Sequence, residues 1–157
     1  LLARRNDILF VIAGDSETRP KLATAFGELP NVKLAGWIDS TTAAILLRRA
    51  AIGLLPYTAK APQGLPFKLY DYMAYGVFQI STLGGEIAAF YDAIGIGRSL
   101  PGASPHDLAA AIEAALADPA IQSGREKRTA IFNNKYDADT VYSNMTEHVV
   151  EIARAGT

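Results

Sequence analysis

Residues 8–13 read ILFVIA, an unbroken apolar run closed by Gly14-Asp15. Such a run leaves no polar face, so it suits a strand buried on both sides, as in a parallel sheet covered by helices. Shorter runs recur at 32–35, at 51–55 before Pro56, and at 77–81. Helical stretches separate them. Residues 20–26 read as a short helix ended by Gly27 and Pro30. Asp39 or Ser40 can cap a helix through Ile45, Leu46 and Arg49, because their oxygens accept the free amide hydrogens of a first turn. Pro66 suits the first position of another helix, where its missing amide hydrogen costs nothing, and Gly76 is its expected stop. Gly84-Gly85 leads into a helix through Phe90. This alternation predicts one α/β domain over 1–157, with a single parallel sheet, right-handed crossovers and flanking helices.

The rest of the chain is more helical. Residues 96–100 suit a short edge strand. Ser104-Pro105-His106-Asp107 opens a helix whose apolar face carries Leu108, Ile112, Ala115 and Leu116. Residues 125–133 form a basic helix that Asn133-Asn134 is expected to break. Ala138, Val141, Tyr142, Met145, Val149 and Ile152 keep helical spacing to the end. Leu1 to Arg5 reads as the tail of a helix whose strand is missing. The expectation is therefore an N-terminally truncated domain that lacks its first strand, with an apolar edge prone to self-association.

Composition narrows the function. Fifteen Lys and Arg against sixteen Asp and Glu give a net charge of −1, which offers no electrostatic reason to bind nucleic acid. Cysteine is absent, which removes disulfides and thiolate metal sites. The two histidines, His106 and His148, come with no carboxylate cluster, so no metal site is expected. No Gly-x-Ser-x-Gly elbow is present. No apolar run approaches the ~20 residues of a membrane span. The pairs Arg4-Arg5 and Arg48-Arg49, and Arg125 to Arg128, read as solvated faces.

The segment QGLPFKLYDYMAYG, residues 63–76, resembles the donor-binding signature of family 4 (group 1) glycosyltransferases, enzymes with two Rossmann-like domains (the GT-B fold). There a glycine-containing loop enters a helix bearing a carboxylate, followed by a turn of the form Met-Ala-x-Gly and a strand. FVIAGD, VKLAGWID, the strand end Leu55-Pro56-Tyr57 and the loop Ser81-Thr82-Leu83-Gly84-Gly85-Glu86 resemble further family elements in the same order. The resemblance implies the Rossmann-like C-terminal, donor-binding half of such an enzyme. It also implies a nucleotide-diphosphate sugar as donor, transfer to an acceptor hydroxyl, and an acceptor-binding N-terminal domain as partner. A role in polysaccharide biosynthesis and a cytoplasmic place, peripheral to the inner membrane face, go with it; no cofactor is implied. Two positions depart from the pattern: Gln63 and Asp71 stand where the family carries paired glutamates.

The candidate donor-binding residues follow. Asp71, one to two turns into its helix, can accept hydrogen bonds from two ribose hydroxyls, as the resemblance implies; a solvated helix aspartate is the plain alternative. Lys68 lies in the first turn, where acids are usual, so a cation there makes sense if it and the helix N-terminus act on one diphosphate. Gly64 and Leu65 can bring backbone close to the phosphates or sugar, and Gln63 can meet a sugar hydroxyl. Trp37 and Ile38 end a strand and suit a nucleobase, unless Trp37 is buried as a seal on the sheet. Gly14, Gly84 and Gly85 stand at other strand ends. No catalytic residue is identified. A sugar-nucleotide epimerase of the same architecture, or a donor-binding scaffold without catalysis, are the rival readings.

Overall fold

The computed structural model describes residues 5–58, 60–62 and 64–155. Among these residues five strands and eight helices follow in order: β1 (Phe10–Ala13), α1 (Arg19–Phe26), β2 (Val32–Gly36), α2 (Ser40–Arg49), β3 (Ile52–Leu55), α3 (Phe67–Ala74), β4 (Phe78–Ser81), α4 (Glu86–Ile94), β5 (Gly97–Ser99), α5 (Pro105–Ala117), α6 (Pro119–Ser123), α7 (Arg125–Lys135) and α8 (Ala138–Ala155). Every strand pairing is parallel, as the apolar runs require. The strands divide between two sheets, β1-β2 and β3-β4-β5, where one was expected. The chain correspondingly forms two compact units, with the boundary inside α2 at Leu46/Leu47.

In the first unit, β1 lies against β2 with Phe10 opposite Val32 and Ile12 opposite Leu34. Burial on both faces of β1 does not hold. Phe10 and Ile12 are half-buried while Val11 is exposed, because this unit gives β1 one neighbouring strand and α1 contributes no buried side chain. Asp39 caps α2 as expected: its Oδ1 accepts from the Thr42 amide at 2.7 Å. That hydrogen bond holds the Asp39 carboxyl below its usual range.

The second unit holds the core. β4 is the central strand and all four of its residues are buried. Leu55, Leu69, Met73, Leu83, Ile87, Tyr91 and Ile96 form one apolar cluster that joins α3 and α4 to the strand ends. The expected edge strand is β5, paired to β4 from Gln79↔Gly97 to Ser81↔Ser99. Ser104 and Asp107 close a reciprocal cap at the start of α5, each side chain meeting the other's backbone amide.

Several boundaries move. Pro66 is the residue before α3, extended at φ −71°, and α3 ends at Ala74, before Gly76. Four residues follow Phe90 in α4. The asparagine pair does not break α7, because helix hydrogen bonding continues to the Tyr136 amide on the Phe132 carbonyl. The five-residue α6 was not foreseen, although Asp118 caps it and Pro119 opens it. Of the helix tail read at residues 1–5, residues 1–4 lie outside the described ones and Arg5 is not helical.

The reading of Arg125 to Arg128 as a solvated face is corrected. Arg128 is 7% exposed, its Nε donating to the Gly76 carbonyl at 2.8 Å and its Nη2 to Ile121 at 2.8 Å. Its guanidinium lies 5.8 Å from the Phe78 ring centre. Arg125 donates to the carbonyls of Tyr75, Leu47 and Ala50. Helix C-termini leave carbonyls without helical partners and carry partial negative charge, so cations that bond there are stabilising. Arg128 is buried and Arg125 half-buried because the ends of α2 and α3 need donors.

Candidate donor site at the carboxyl ends of the strands

In a parallel sheet each helix begins where the preceding strand ends, so ligands meet the carboxyl edge. In the second unit, residues 56–66 carry the chain from β3 to α3, and residues 82–85 carry it from β4 to α4. Hydrogen bonds stitch this edge together. The Thr82 hydroxyl donates to the Tyr57 carbonyl at 2.6 Å, and its amide to Leu55 at 3.2 Å. The Ser81 Oγ accepts from the Leu83 amide at 3.1 Å, and the Ser99 hydroxyl donates to the Leu83 carbonyl. These side chains went unrecognised in the sequence; hydroxyls clustered just past two apolar runs were the available signal.

Two glycines let the edge close. Gly85 turns the chain into α4 at φ +62°, a conformation that side chains disfavour. A side chain on Gly64 would begin 2.0 Å from the Glu86 carboxylate. The loop entering α3 therefore lies directly against the first turn of α4, and Gly64, Leu65, Gly84 and Gly85 gather at one edge of the sheet. Gln63 lies outside the described residues.

The first turn of α3 carries no acid and receives no side-chain cap. Lys68 is exposed in that turn and Asp71 is exposed in the next. Neither side chain makes a hydrogen bond or ion pair among the described residues, although residues three apart on a helix are neighbours. Among the described residues the start of α3 thus carries no side-chain cap and an unpaired cation, with an unpaired carboxylate one turn deeper. Phe67, 91% exposed beside Lys68, is a further residue that the sequence reading passed over.

Gly14, Trp37 and Ile38 belong to the first unit, at the ends of β1 and β2. The Gly14 amide donates to the Gly36 carbonyl at 2.7 Å. Trp37 is 75% exposed, so it does not seal a sheet. Among the described residues, no group of three or more His, Asp or Glu is placed to hold a metal ion, and no helix is long and apolar enough to cross a membrane.

A family profile described as glycosyl transferases group 1 matches residues 1–118. No curated protein matches the chain. The profile spans both parallel sheets and the whole strand-edge site, from β1 through α5. The chain therefore belongs to the group 1 glycosyl transferases.

Proposed function

We propose that this chain is the donor-binding, C-terminal half of a family 4-like enzyme, and that it binds a nucleotide-diphosphate sugar. The observation that carries the reading is the start of α3: an uncapped helix N-terminus, without acid, beside the free ammonium of Lys68. Helix amides and a cation together suit a diphosphate. Asp71, exposed one turn further on, suits the ribose hydroxyls as an acceptor of charge-assisted hydrogen bonds. Gly64, Gly84 and Gly85 are our candidates for close backbone approach to the sugar phosphate.

The reaction proposed for the full-length protein is transfer of the sugar to an acceptor hydroxyl. The departing diphosphate gains negative charge as the glycosidic bond to it breaks. Fixed amide dipoles and Lys68 would stabilise that charge without reorganising. The full-length protein should release a nucleoside diphosphate from a nucleotide sugar faster when an acceptor is added. Conversion of the donor to its sugar epimer, or binding without turnover, would replace this reading by one of its rivals.

A further inference from the structure

Gln79 is a polar residue in the central strand, 0% exposed among apolar neighbours. Its Nε2 donates to the Leu69 carbonyl in α3 at 3.0 Å, and its Oε1 accepts from the Tyr91 hydroxyl of α4 at 3.0 Å. Each partner fixes the amide: the carbonyl needs a donor and the hydroxyl supplies one. Burial pushes the Tyr91 hydroxyl upward, so it keeps its proton and stays a donor. A buried amide would cost stability if either bond were lost, so the network allows α3 one placement along β4. Leu69 adjoins Lys68 and lies two residues before Asp71.

We propose that Gln79, oriented by Tyr91, is a positioning residue for donor binding: it fixes the first turns of α3 through the Leu69 carbonyl and so sets where Lys68 and Asp71 stand. This rests on the donor-site reading above. A side chain that holds a binding group from behind controls affinity without touching the ligand, and loosening such support weakens binding on the order of tenfold or more.

The test separates positioning from stability. Gln79→Met keeps the length of the side chain and removes both hydrogen bonds, which strands the Tyr91 hydroxyl. Adding Tyr91→Phe removes the stranded hydroxyl and should recover the share of stability that this hydroxyl cost, since replacing both partners of a buried bond by apolar groups is nearly neutral. Calorimetry of the full chain with UDP, GDP and ADP, at a temperature where every variant is folded, gives the affinities. Both Gln79→Met and the double variant should bind the preferred diphosphate about tenfold more weakly, although the double variant regains part of the lost melting temperature. In an Asp71→Asn background the Gln79→Met effect should shrink, because the group being placed is already impaired. Affinity that recovers with stability, or an effect undiminished by Asp71→Asn, would make Gln79 a structural residue only. Failure of the unmodified chain to bind any of the three diphosphates would overturn the donor-site reading itself, and the positioning role with it.

Discussion

Lys68 and Asp71 stand three positions apart on α3, both exposed and without a partner among the described residues. If Lys68 meets the diphosphate, Lys68→Met should weaken binding of a nucleoside diphosphate and hardly change that of the free nucleoside. Asp71→Asn keeps the shape but loses a charge-assisted acceptor, so it should cost about 1.5–3 kcal/mol for both ligands. Paired calorimetric titrations check the two. Unchanged binding in the Asp71 variant would leave it a surface carboxylate. The proposal for these two residues starts from the chain itself: a cation in a first turn, where acids are usual, and an acid where the family pattern expects one. Gln79 and Arg128 were not. Each bonds a backbone carbonyl, 10 and 52 residues distant, and a carbonyl leaves no mark in the sequence. The one available signal for Gln79 was an amide side chain in the middle of the run VFQIS.

At the scale of elements, α3 is held at its far end by α7. Arg128→Met would leave the Gly76 and Ile121 carbonyls without their donor, and should destabilise the fold by about 3 kcal/mol in urea titration. A cost under about 0.5 kcal/mol, typical of surface positions, would contradict the buried assignment. Lys should not replace Arg125, because one ammonium cannot reach the three carbonyls that a forked guanidinium spans. The cap of α5 gives a smaller, pH-dependent effect. Ser104→Ala should cost about 1 kcal/mol at neutral pH. Ser104 holds the Asp107 carboxyl below its usual value, so the cap contributes above the ordinary carboxylate range and fades as pH falls through the lowered value. The gap between wild type and variant should therefore narrow in acid. Strands and caps were legible from the chain because they depend on local pattern: apolar runs, Ser-Pro, Asp39 before Ser40. The helix ends moved for two reasons. At α3 a tertiary donor, Arg125, takes the Tyr75 carbonyl, whereas in α7 the helical bond from the Tyr136 amide to Phe132 carries the helix past the asparagines.

For the whole molecule, parallel pairing was legible from the doubly apolar runs, whereas the division into two sheets was not. Four runs of similar length carry no information on which strands will share hydrogen bonds. Each unit keeps a parallel strand–helix–strand order, and in the second unit the loops entering α3 and α4 meet at the strand edge. The central claim is that this edge binds the diphosphate of a nucleotide sugar through the start of α3. Calorimetric titration of the full chain tests it most directly, with a nucleoside diphosphate and its parent nucleoside, in wild type and Lys68→Met. The account predicts that the wild type prefers the diphosphate and that the variant loses most of this preference. Equal affinity for both ligands in the wild type, or a preference that survives Lys68→Met intact, would contradict it.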